Sequence, residues 1–122
     1  MKYGDLVGVR YRPHGRSKEE GFDCYGIVIE VLRRNGIEFP DLYYKSLKVG
    51  EDFVREFDLH TERIGKPEEN CLIEMMSYGQ PGHLGVYIGE GLMIHSTTWK
   101  GVCIEQVRHY EGKIRGYYRV KD

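Results

Sequence analysis

Residues 21–36 read GFDCYGIVIEVLRRNG and carry the start, body and end signals of one helix. Asp23 is placed as the N-cap, because a carboxylate there accepts a hydrogen bond from a backbone N–H of the first turn. Asn35-Gly36 predicts the end, directly after two arginines whose charges suit that end of the helix dipole. We therefore predict a helix from Cys24 to Arg34 whose apolar residues face a core, namely Ile27, Val28, Val31 and Leu32.

Cys24 occupies the first turn of this helix, where unpaired N–H groups and the helix dipole favour a negative charge. This position predicts that the pKa of the thiol is lowered and that the sulfur is a nucleophile. A small buried core residue is the alternative, because most free cysteines are of that kind.

The second half of the chain changes to the period of strands. Short β-branched and aromatic runs alternate with glycine-rich turns, at Leu72–Met76, His83–Ile88, Leu92–His95, Val102–Val107 and Ile114–Val120. We predict an antiparallel meander, and with the preceding helices an α+β fold. Two further elements are predicted, a short strand at Leu6–Tyr11 and a second helix at Glu51–Arg63 with Phe53, Phe57 and Ile64 inward. Residues 38–50 are predicted to be irregular.

Two histidines lie on neighbouring predicted strands. His83, Gly85 and Tyr87 share one face of their strand, and the alternating Leu84, Val86 and Ile88 must face the core. The short connection Gly89-Glu90-Gly91 predicts a hairpin in which facing residues sum to about 178–180, so that His95 lies near His83. One imidazole then orients the other for proton transfer. Surface or structural histidines are the alternative.

Composition favours one globular domain, residues 1–122, with room for one core. The net charge of −1 supplies no basic field for nucleic acid or anionic lipid. No apolar run approaches the ~18–20 residues of a membrane span, and the polar N-terminus does not resemble a secretory signal. Three widely spaced cysteines argue against a disulfide framework.

Three blocks together resemble the NlpC/P60 family of cysteine peptidases. They are Gly21–Gly26, His83–Gly89 and Ile94–Ser96, and the twelve-residue step from His83 to His95 is similar as well. Tyr11 resembles the tyrosine that precedes the cysteine loop in that family. The resemblance covers about residues 4–36 and 70–120, whereas residues 37–69 match nothing we can place.

The resemblance implies a papain-like α+β fold, with the cysteine-bearing helix packed on an antiparallel sheet. It also implies hydrolysis of bacterial peptidoglycan stem peptides, between D-glutamate and a diamino acid. Cys24 would be the nucleophile, His83 the base and His95 its orienting partner. Tyr11 would help to stabilise the oxyanion, and Asp23 is expected to cap the helix first and to contact a substrate amine second.

Tyr25 stands where many members of the family have a small serine. An aromatic residue there resembles a branch found in phage tails and gene-transfer particles. That branch would make tail proteins partners and a phage or prophage particle the location.

Other functions stay open at this level. A metal site could use Cys24, His83 and His95 with Cys71 or Cys103, although no close ligand pair accompanies them, and no cofactor is predicted. The fold could also serve as a catalytically silent tail-assembly or wall-binding module. An amidase or acyltransferase could use the same triad, because an amine can resolve an acyl-enzyme as water does.

Overall fold

The computed structural model describes residues 2–41, 51–77 and 80–121. Two short strands, β1 (Arg16–Ser17) and β2 (Gly21–Phe22), precede helix α1 (Cys24–Arg34). Helix α2 (Glu51–His60) leads into β3 (Thr61–Ile64). The remaining strands are β4 (Leu72–Ser77), β5 (Gln80–Gly89), β6 (Leu92–Thr97), β7 (Gly101–Gln106) and β8 (Ile114–Val120), with a 3-10 segment at Val107–Lys113.

Helix α1 has the predicted bounds and the predicted cap. The Asp23 side chain accepts a hydrogen bond from the Gly26 N–H, and Asn35 ends the helix ahead of Gly36, whose φ is 78°. The four predicted core residues of the helix are fully buried. Burial of each such side chain stabilises the fold by about 1.5–3 kcal/mol, so the apolar stripe ties α1 firmly to the sheet.

The sheet confirms the meander in part. Its order among the described residues is β3-β8-β4-β5-β6-β7, and each neighbouring pair is antiparallel. Strands β4 to β7 follow one another as predicted. Strand β8 instead returns to the far side and pairs with β4, as Ile73 opposite Tyr117 shows. The predicted α+β fold, with a helix packed on an antiparallel sheet, is confirmed.

Two predicted elements differ from the structure. Residues 6–8 form turns and residues 9–10 have no regular structure, so the predicted strand is absent apart from an isolated bridge at Tyr11. Leu6 is buried in the core, and Gly8 adopts a φ of 91°. The predicted second helix is present, with Phe57 buried, but it ends at His60. Ile64 therefore lies in β3, which pairs with β8.

Some predictions fall partly outside what is described. Residues 38–41 lack regular structure, in keeping with the expected irregular segment, and residues 42–50 lie outside the described part of the chain. The side chain of Phe53 lies outside it as well.

Both faces of the sheet are covered. Helix α1 and the N-terminal turns pack on one face, against residues that include Leu84, Val86 and Ile94. The other face holds a smaller cluster around Ile73, Met75 and Met93, next to Tyr110 of the 3-10 segment. None of the helices in the described ranges has the length and apolar character needed to cross a membrane.

Candidate active site

Cys24 begins α1 and lies against the start of β5. Its sulfur is 3.9 Å from the carbonyl oxygen of Gly82, and the N–H of Leu84 donates a hydrogen bond to it. These two backbone groups flank His83 in the chain. The helix therefore brings the thiol to the strand segment that carries the first predicted histidine.

The electrostatic environment of Cys24 differs from the prediction. Burial raises the pKa of the thiol, and this outweighs the Leu84 N–H and the Arg16 guanidinium, which favour the thiolate. The expected lowering of the pKa is wrong, because partial loss of water around the sulfur outweighs the groups that favour the thiolate. Cys24 therefore rests as a neutral thiol, and a base must take its proton during attack.

The histidine pair has the predicted geometry. Val86 faces Ile94 and Tyr87 faces Met93, so facing residues sum to 180. His83 Nε2 lies 2.8 Å from His95 Nδ1, a hydrogen bond that confirms the predicted contact between the two rings. A Cβ at Gly85 would lie only 3.2 Å from the Cβ of His95, so the glycine leaves the space that this ring needs.

Glu105, which was not among the predicted site residues, extends the hydrogen-bonded series that begins with His83 and His95. His95 Nε2 lies 2.8 Å from Oε1 of Glu105, which also accepts hydrogen bonds from the Tyr110 hydroxyl at 2.9 Å and the Cys103 thiol at 3.3 Å. The signal was available in the predicted strands. Glu105 shares a strand face with Cys103, and Cys103 lies opposite His95 in β7.

Charge is unevenly distributed along the hydrogen-bonded series of His83, His95 and Glu105. Burial lowers the pKa of His83 to about 4, with His95 adding to the effect. Burial also lowers the pKa of His95, although Glu105 opposes this. Burial works against the charge of Glu105, but the hydrogen bonds from His95, Tyr110 and Cys103 hold its pKa well below the usual value. At neutral pH the site thus holds two neutral imidazoles and one carboxylate.

Tyr11 and Asp23 both lie near the thiol. Tyr11 forms an isolated bridge with Phe22. Burial raises the pKa of its phenol, as would a thiolate formed at Cys24, and the Asp23 carboxylate adds to the effect. The Asp23 carboxylate accepts from the N–H groups of Gly26 and His14 and pairs with the Arg16 guanidinium at 2.7 Å. Its capping role is confirmed, and these three donors already engage the carboxylate.

Tyr25 follows Cys24 in the first turn of α1. Its ring is fully buried, and its hydroxyl donates to the carbonyl of Pro40 at 2.6 Å. Arg16 lies over the ring and also pairs with Asp41. The residue next to Cys24 thus helps to hold residues 40–41 against the site.

One group of side chains in the described residues is close enough to hold a metal ion. It consists of His95, Cys103 and Glu105, whose donor atoms lie within 4.8 Å of one another, and it excludes Cys24 and His83. The Lys100 ammonium lies 3.4 Å from Glu105, and burial helps to raise the pKa of Cys103 to about 12. These three side chains already form hydrogen bonds with one another. We therefore assign the group to the hydrogen-bonded series His83–His95–Glu105 and not to a metal site. Cys24, Cys71 and Cys103 are free thiols.

The fold and these side chains define an α+β domain with a cysteine–histidine site. The profile of the NlpC/P60 family matches residues 8–117, and the chain belongs to that family.

Named relatives agree with this assignment. The murein DD-endopeptidase MepS/murein LD-carboxypeptidase of Escherichia coli (strain K12) is 34% identical over 107 residues, which are 87% of this chain and 52% of that protein. The gamma-DL-glutamyl hydrolase of Bacillus subtilis (strain 168) is 30% identical over 121 residues, which are 95% of this chain and 28% of that protein. The chain thus spans about half the length of the first relative and less of the second.

Solved structures show the same fold. A lipoprotein-like NLP/P60 protein of Staphylococcus aureus superposes with a TM-score of 0.72 at 21% identity, over 99% of this chain and 39% of that one. An NlpC/P60 protein of Bacillus cereus has a TM-score of 0.69 at 25% identity, over 93% and 36%.

Proposed function

We propose that residues 1–122 form one cysteine peptidase domain that hydrolyses peptide bonds in the stem peptides of bacterial peptidoglycan. The observation that carries the proposal is the hydrogen-bonded pair His83–His95 beside the strand segment that Cys24 touches. The murein endopeptidase and gamma-DL-glutamyl hydrolase names of the relatives support the substrate class.

In this mechanism Cys24 Sγ attacks the carbonyl carbon of the stem peptide. Nδ1 of His83 takes the thiol proton in the same step, because the half-buried thiol is neutral at rest. The backbone N–H of Cys24 and the Tyr11 hydroxyl stabilise the oxyanion, a contribution of about 3 kcal/mol for a well-placed donor.

The intermediate then collapses. The C–N bond breaks, and His83 gives its proton to the departing amine, which leaves a thioester on Cys24. His83, now neutral, takes a proton from water as that water attacks the thioester. The C–S bond then breaks, His83 returns its proton to Cys24 Sγ, and the carboxylic acid departs. His95 keeps the His83 ring in place throughout.

We propose the bond between D-glutamate and the diamino acid as the target. The family resemblance and the name of the Bacillus relative favour it. Asp23 is already engaged by Arg16, His14 and Gly26, so we assign recognition of a substrate amine to groups other than this carboxylate.

The test uses defined muropeptides and mass spectrometry of the products. Wild-type protein is expected to cut one stem-peptide bond, and Cys24→Ala and His83→Ala are expected to lose this activity. Cys71→Ala is the matched control, because it removes a free thiol that is buried in the core and not in the candidate site. Turnover by Cys24→Ala at the wild-type rate would overturn the proposal.

Two related functions have distinct outcomes in the same assay. Added amines that appear in the product would make the chain an acyltransferase. Binding to sacculi without any cleavage would make it a silent wall-binding module.

Membership of the phage-tail or gene-transfer-particle branch remains a separate prediction, and it depends on Tyr25. The buried ring follows Cys24 in the chain, and its hydroxyl donates a hydrogen bond to the Pro40 carbonyl. Neighbouring genes test it: tail-assembly genes would support the branch, and a neighbourhood of cell-wall genes would contradict it.

A further inference from the structure

Glu105 is the point at which three hydrogen-bond donors converge on one oxygen atom. Oε1 accepts from His95 Nε2, the Tyr110 hydroxyl and the Cys103 thiol, and Oε2 lies 3.4 Å from the Lys100 ammonium. Four surrounding groups therefore fix the carboxylate, of which 16% remains exposed. Such a restrained acceptor can impose an orientation on its neighbour.

The proton positions follow from this contact. An ionised carboxylate only accepts hydrogen bonds, so the single proton of neutral His95 must lie on Nε2. Nδ1 of His95 is then an acceptor, and the 2.8 Å contact requires that His83 donate from its Nε2. The proton of neutral His83 is thus on Nε2, and its Nδ1 carries the electron pair that can accept a proton.

We propose that Glu105 is a positioning residue, which sets the tautomer of His95 and through it the basic nitrogen of His83. This inference rests on the proposed function only for its kinetic consequence. Without Glu105, the His95 proton can move to Nδ1. His83 would then accept at Nε2 and hold its proton on Nδ1, the nitrogen assigned above to take the proton of Cys24.

Two substitutions distinguish the effect of the hydrogen-bond acceptor of Glu105 from the effect of its negative charge. Glu105→Gln keeps a carbonyl oxygen that can accept from His95 but removes the negative charge that stabilises an imidazolium. Glu105→Ala removes both. We expect kcat to fall roughly 10- to 100-fold in Glu105→Ala and less in Glu105→Gln, with KM within about twofold. Glu62→Gln is the matched control, because Glu62 accepts a hydrogen bond from Arg119 at the β3–β8 edge of the sheet, away from β5 and β6.

A double-mutant comparison distinguishes positioning from a general structural effect. If Glu105 acts through His95, Glu105→Ala should cost little further activity in a His95→Asn protein. An equal loss of kcat in both backgrounds would overturn the proposal.

Nitrogen-15 NMR of histidine-labelled Cys24→Ala protein gives a readout that needs no activity. We expect His95 to be protonated at Nε2 with Glu105 present and to become a mixture of tautomers in the Glu105→Ala protein. An unchanged His95 spectrum in a folded Glu105→Ala protein would overturn the inference. Absence of muropeptide cleavage by wild-type protein would count against the proposed function alone, since the tautomer measurement is independent of it.

Discussion

For Gly26→Ala, helix propensity and tertiary packing predict opposite changes in the free energy of unfolding. Gly26 lies in the first turn of α1, and in a helix interior alanine is favoured over glycine by about 1 kcal/mol. Its Cβ position, however, is 2.1 Å from the carbonyl oxygen of Gly15, and real Cβ atoms essentially never come within 3.0 Å of another heavy atom. The loop and the helix must therefore separate by nearly an ångström.

That movement stretches the contacts that join this loop to the helix cap. The Asp23 carboxylate accepts from the His14 N–H at 3.0 Å and pairs with Arg16 at 2.7 Å. Overpacking of this kind costs about 1–3 kcal/mol, and a hydrogen bond to a charged group contributes about 1.5–3 kcal/mol. After the helix gain is subtracted, we expect the free energy of unfolding to fall by about 1.5–5 kcal/mol.

Urea unfolding followed by circular dichroism measures this change. Gly65→Ala is the control, because its Cβ would have nothing within 4 Å, and we expect a change within about 0.5 kcal/mol. A Gly26→Ala protein as stable as wild type, or more stable, would show that helix propensity decides this position and that the close approach to Gly15 is incorrect.

Three further predictions concern pH, a buried hydroxyl and metal ions. Because burial lowers the pKa of His83 to about 4, the base stays neutral at mildly acidic pH, and kcat/KM should fall only near pH 4; a midpoint near 6.5 would contradict this. The same shift affects stability, since the unfolded histidine takes up its proton near pH 6.5. The contribution of neutral His83 is complete above that pH and is lost toward pH 4, which urea midpoints at pH 7.5 and 5 would detect. Ser96→Ala should lower unfolding free energy by about 1 kcal/mol, because the buried hydroxyl donates to the Phe22 carbonyl at 2.8 Å; an unchanged urea midpoint would refute that hydrogen bond. Dialysis against a chelator should leave the rate of muropeptide cleavage unchanged, whereas alkylation of thiols should abolish cleavage. A loss of cleavage after dialysis that added zinc reverses would support a metal site instead.

Local signals in the sequence were sufficient for the elements that carry the site. The Asp23 cap and Asn35-Gly36 define α1 through hydrogen bonds that span only a few residues. The short turn after β5 determines the register that brings His83 to His95. These predictions succeeded because each depends on neighbours in the chain, where geometry leaves few alternatives.

Other features depend on partners that are distant in the chain. β8 lies beside β4, and Thr61–Ile64 becomes a strand, because backbone groups pair across about 40–60 residues of the chain. The raised pKa of Cys24 comes from loss of water around the folded site, which no local pattern reports. The sequence alone thus indicated which side chains are candidates for the chemistry, while tertiary packing decided their protonation and the hydrogen bonds that Glu105 accepts, because desolvation and long-range hydrogen bonds exist only in the folded chain.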